Sequence, residues 1–121
     1  MIVDEYNMGW AMRCLREAKA ELSIAKSTPS LASNLALEAA RKAREAIYYS
    51  LGSPTFIRMA IEDAISSNET IKDPILKFLI EIERAMQDIA YPNNVNEAII
   101  TADKIVNIAS KIVKLLSGEE E

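Results

Sequence analysis

Arg84, Asp88 and Tyr91 stand at spacing i, i+4, i+7, which on an α-helix makes them surface neighbours. With Lys77 they project from one face of a fourth helix, away from its apolar stripe. Arg84 could hold a phosphate there, Tyr91 offers a hydroxyl and a stacking ring, and Asp88 could orient the guanidinium. The same spacing describes an ordinary solvated Arg–Asp pair, which adds little stability, and spacing alone favours that plainer reading. A second set, Leu37, Arg41, Arg44 and Tyr48, is spaced by four, three and four residues. It could form a face for a second subunit or another partner. Equally, Leu37 and Tyr48 could pack under another helix of the same chain, with the arginines solvated or lying along their stems.

Other chemistries are excluded more firmly. The chain contains no histidine and one cysteine, Cys14, so Ser–His and Cys–His nucleophile systems cannot be built. A zinc site would need carboxylates alone, which is unusual. Gly9, Gly52 and Gly118 are isolated and make no phosphate loop. Glu38 with Glu45, and Glu81 with Asp88, share helix faces without the density a metal ion demands. No metal site and no cofactor is expected. Trp10, Met12, Phe56 and Met59 are most simply core or rim residues.

The elements that must position these side chains are marked by proline. Pro29, Pro54, Pro74 and Pro92 cut the chain into five segments. A first helix is predicted over Tyr6 to Lys26, burying Ala11, Cys14, Leu15, Ala18, Leu22 and Ala25. A second starts near Pro29 or Ser30 and ends at Leu51, with Gly52 as a left-handed cap. One side of it carries Ala32, Leu35, Ala36, Ala39, Ala43, Ala46 and Ile47, and small side chains let a neighbouring helix approach closely. Ser53-Pro54 opens a short third helix burying Ile57, Ile61, Ala64 and Ile65. After a polar loop over Ser66 to Lys72, Asp73-Pro74 opens the fourth, with Ile75, Leu79, Ile82, Met86 and Ile89 inward. Pro92 ends it at Tyr91. Asn94 and Glu97 read as a variant capping box for a fifth helix that reaches about Leu116 on Val95, Ala98, Ile99, Ala102, Ile105, Val106, Ala109, Ile112 and Val113. The tail from Gly118 to Glu121 is expected to fray.

No strand pattern and no internal repeat competes. The expected fold is therefore all-α, an up-and-down antiparallel bundle of four to five helices forming one domain over residues 1–121. Half the residues are hydrophobic and 26% charged, which excludes disorder. A net charge of -4 argues against general binding to nucleic acid or anionic membrane. No apolar run approaches the roughly 20 residues a membrane span needs. The first ten residues lack the basic start of a signal peptide. With a lone cysteine, a cytoplasmic location is expected.

The run Leu35-Ala36-Leu37-Glu38-Ala39-Ala40-Arg41-Lys42-Ala43-Arg44-Glu45-Ala46-Ile47, closing at Leu51-Gly52, resembles the second helix of HEPN domains. Ala11 to Lys26 is similar to that family's opening helix, and Tyr91-Pro92 with Asn96-Glu97-Ala98 to Leu116 to its closing one. The resemblance covers most of the chain on loose motifs. It implies a helical bundle that dimerises. Many members are metal-independent ribonucleases that use an arginine and a histidine. In those paired with a minimal nucleotidyltransferase, the pattern is arginine, four residues, histidine, one residue, tyrosine. Arg84 and Tyr91 match it, while Ile89 holds the histidine position. Isoleucine has no titrating group, and a tyrosine with pKa near 10 is a poor substitute for imidazole at neutral pH. Ribonuclease activity by the usual route is therefore not expected.

The leading expectation is a non-catalytic, homodimeric HEPN-like module that binds a nucleotide or a nucleotidyltransferase partner through Arg84, Asp88 and Tyr91. It could form part of a toxin–antitoxin-type pair, with Tyr91 a candidate acceptor of a transferred nucleotide. The alternatives are a divergent ribonuclease using Arg84 and a carboxylate, and a helical protein-interaction adaptor without a small-molecule site.

Overall fold

Five α-helices and one short 3₁₀ turn make up the computed structural model, which describes residues 5–67 and 70–118. The expected frayed end (Glu119 to Glu121), part of the polar loop and the first four residues read above for a leader lie outside that range. The helices are α1 (Glu5–Ser27), α2 (Ala32–Leu51), α3 (Pro54–Ser66), α4 (Pro74–Ala90) and α5 (Val95–Ser117), with the 3₁₀ turn Pro29–Leu31 between α1 and α2. No strand occurs among the described residues, and the fold is the all-α bundle expected.

Alanine determines the packing. Ala11 and Ala18 on α1, Ala36, Ala39, Ala40, Ala43 and Ala46 on α2, and Ala98, Ala102 and Ala109 on α5 are all buried. Such small side chains bring α1, α2 and α5 together as the centre of the bundle. Ile47, Leu79 and Ile105 fill the larger gaps. α1 and α2 run antiparallel, since Lys42 pairs with Glu21 and lies 4.0 Å from Glu17, while Trp10 stacks on Tyr49 further along α2. Lys26 ties α1 to α5 through Asp103 at 2.8 Å. α4 lies against α2 and α5, and α3 rests across α2 and α4.

Helix starts follow the sequence signals. Asp73 caps α4 by accepting from the Ile75 backbone N–H at 2.8 Å, with Pro74 in the first helical position. Asn94 caps α5 through the Glu97 N–H at 2.9 Å. Ser53 precedes Pro54 at the start of α3, but its side chain makes no capping bond. Gly52 takes a positive φ of 147°, with ψ at -140° outside the left-handed helical region expected. The chain leaves α2 extended there and turns directly into α3. Gly118, at φ 81° and ψ 7°, is the left-handed cap instead.

Three residues expected in the core are exposed for one geometric reason: they fall where a helix has no covering neighbour. On α3 only Ile61 is buried, and Ile65 is 59% exposed. Ile75 and Val95, in the first turns of α4 and α5, are also exposed. Phe56 and Met59, read as core or rim, stand on the outer side of α3 at 72% and 53% exposure.

Candidate functional site

Arg58, Ile61, Glu62 and Ile65 on α3, and Ile80, Glu83, Arg84 and Gln87 on α4, share the spacing i, i+3, i+4, i+7. Each set is therefore one face of its helix. The two faces, with Arg44 from α2, line a cleft of about 430 Å³. Its apolar wall is Ile61, Ile65 and Ile80. Its charged groups are three arginines and two glutamates, a formal excess of one positive charge in a chain of net charge -4.

Most of that charge is already committed. The Tyr48 hydroxyl donates to Glu83 Oε1, and Arg44 Nη1 donates to both Glu83 oxygens at 3.3 Å. Arg58 pairs with Glu45 and lays its guanidinium 5.8 Å from the centre of the Tyr48 ring. Burial of Tyr48, then its bond to Glu83, push the phenol far above its ordinary value, and Arg44 offsets only part of this. Arg84 is exposed and has no ion pair or hydrogen bond among the described residues. It is the uncommitted guanidinium of the cleft.

The residues expected to act together are spread apart. Arg84 lines this cleft, whereas Asp88 lines a separate one of about 300 Å³ with Asn93, Glu97, Ile100 and Thr101. No Arg84–Asp88 bond forms among the described residues. Tyr91 is 81% exposed and sits past the helix end, because α4 stops at Ala90 with Tyr91 in a non-helical conformation before Pro92. Ile89 packs in the core, as its position on the apolar stripe implied.

The proposed outward stripe on α2 needs a larger correction. Tyr48 is 0% exposed and Arg44 is mostly covered, because α3 and α4 lie over that side of α2. These two side chains therefore serve contacts within the chain and present no face to a second subunit. Leu37 is half-buried against the core, and Arg41 is exposed and paired with Glu38 at 2.7 Å.

Arg58, Glu62, Glu83 and Gln87 were not anticipated. Their signal was the repeated i, i+3, i+4, i+7 spacing on two successive helices, hidden because each stripe mixes isoleucine with charge. Comparison with family models, curated proteins and solved structures finds no match. No helix among the described residues is long and apolar enough to cross a membrane, and no cluster of metal-ligating side chains occurs among them.

Proposed function

We propose that this chain is a non-catalytic binding module that holds the phosphate of a nucleotide against Arg84, as the HEPN resemblance without its histidine implies. The observation that carries this is a free guanidinium at the edge of a concave cleft whose other wall is isoleucine. Small-molecule sites have this character, mostly apolar with a few placed polar groups. The single excess positive charge suits one phosphate group better than a polyphosphate, since Glu62 and Glu83 would repel further charge. Glu83 is held by Tyr48 and Arg44, so it is poorly placed to act as a free base. Tyr91, exposed just past the end of α4, remains the candidate acceptor for a nucleotidyltransferase partner.

Calorimetric titration of the purified chain with AMP tests the proposal. Arg84→Ala should weaken binding by about 10- to 100-fold, the worth of a charge-assisted bond. Equal binding by the two proteins would remove the reading. Modification of Tyr91 is checked by mass spectrometry after incubation with the transferase and ATP.

A second reading, a homodimer or helical adaptor, is favoured by Phe56 and Met59, exposed together on the outer side of α3. Sizing the protein in solution decides it. Association that survives Phe56→Glu would count against that surface.

A further inference from the structure

On the other side of Arg58 lies a second cleft, of about 490 Å³, which none of the chemistry above uses. Trp10 and Tyr49 form one side of it as a stack, with ring centroids 6.2 Å apart and planes at 20°. Tyr6 meets the Trp10 ring edge-on at 6.3 Å and 65°. Ser53 and Thr55 stand at its rim with hydroxyls free of any bond among the described residues, Ser53 having declined the capping role its position offers. Arg58 lines both clefts and so forms the wall between them.

The charge around the aromatic rings decides what could settle there. Arg13 already lies 5.1 Å from the Trp10 ring centre, and Glu45 is neutralised by Arg58. An added cation would meet two guanidinium groups, so an ammonium-binding cage is disfavoured. An added anion would meet Glu45 and find Arg58 occupied. A flat uncharged ring avoids both penalties and gains stacking on Trp10 or Tyr49. Free hydroxyls at the rim favour a ring with hydrogen-bonding edges over a hydrocarbon. Burial, with Glu17 adding to it, pushes the Cys14 thiol up, so the sulfur in this cleft stays protonated and acts as a small apolar wall.

The geometry points to a stacking site for a flat, uncharged heteroaromatic ring of the nucleobase class on Trp10 and Tyr49. The site shares only Arg58 with the cleft that Arg84 lines. The ring could come from a free nucleoside or from the base of a nucleotide in the neighbouring cleft.

Trp10 is the sole tryptophan, so its fluorescence reports this cleft alone. The full chain is titrated with adenosine, AMP and inorganic phosphate. The expected result is saturable quenching by adenosine or AMP and none by phosphate. Tyr6→Ala, at a site already exposed, and Tyr49→Leu should each weaken it, Tyr49→Leu by about tenfold. Circular dichroism confirms that the variants fold. Quenching by adenosine that survives Arg84→Ala marks an independent ring site, and holds even if AMP binding at Arg84 fails. Quenching by AMP alone, lost in Arg84→Ala, makes the ring the base of the nucleotide in the neighbouring cleft. AMP binding seen by calorimetry without any change at Trp10 overturns this inference and leaves the phosphate reading standing. No quenching by either compound, or quenching indifferent to Tyr6 and Tyr49, overturns it as well.

Discussion

Replacing Tyr48 with phenylalanine removes one oxygen from the centre of the molecule and leaves the ring under Arg58 in place. Tyr48 is fully buried, and its hydroxyl donates to Glu83, which Arg44 also holds at 3.3 Å. A hydrogen bond to a charged acceptor contributes about 1.5–3 kcal/mol. Glu83 keeps Arg44 and some contact with water, so the lower part of that range applies, about 1.5–2 kcal/mol near neutral pH. The pH dependence is more distinctive. The folded-state pKa of Tyr48 is raised above its unfolded value of about 10. Below that pH both states keep the proton and the contribution is complete. Above it the unfolded chain releases the proton while the folded chain retains it, so stability falls by about 1.4 kcal/mol per pH unit. The phenylalanine variant lacks this loss. Its deficit should therefore shrink by about 1.4 kcal/mol between pH 9 and pH 11. Lys42, whose pKa is raised chiefly by the hydrogen bond it donates to Glu21, adds an alkaline loss common to both proteins and cancels in the difference. Urea denaturation across that range gives the difference directly. Tyrosinate absorbance gives a second check, since one of the four tyrosines should resist titration until the protein unfolds. A deficit that stays constant with pH, or four tyrosines titrating together in the folded protein, would refute the assignment.

Two further perturbations probe the frame around the cleft. Ala43→Leu inserts three carbons where α2 meets its neighbours with no exposed surface, and should cost about 1–3 kcal/mol or more by overpacking, read as a lower denaturation midpoint. Asp73→Ala removes the cap accepted from Ile75 at 2.8 Å and should cost about 1 kcal/mol, with faster amide exchange confined to the first turn of α4.

Apolar periodicity made the inner helices legible. Ala11, Leu15, Ala18, Leu22 and Ala25 on α1, and Leu79, Ile82, Met86 and Ile89 on α4, are buried as their spacing required. Each of these residues lies where its helix has a covering neighbour. α3 shows where the method stops. Ile57, Ile61, Ala64 and Ile65 form a stripe as regular as the others, yet only Ile61 is fully buried, Ile57 and Ala64 are partly covered and Ile65 is exposed, because a short helix lying across two others meets them over part of its length. Periodicity identifies a face but not how much of it finds a partner. Tyr48 shows the converse error. Its row with Leu37, Arg41 and Arg44 looked like an outer surface because it contains two arginines. One of these, Arg44, meets Glu83 from a helix whose position no local pattern encodes.

The same helical arithmetic changes what Ile89 means. Five residues beyond Arg84 at 100° each, position 89 points about 140° away from it. Ile89 is accordingly in the core while Arg84 borders the cleft. A histidine at 89 would therefore not share the α3–α4 cleft within one chain, and isoleucine there takes nothing from that cleft. The α4 side chains that line the cleft with Arg84 are Ile80, Glu83 and Gln87. Of these only Glu83 can ionise, and two donors, Tyr48 and Arg44, already occupy it. That leaves the cleft one open cation, an apolar wall and, on α4, a single lining carboxylate that is already engaged, and this arrangement is the physical ground for reading it as a binding site.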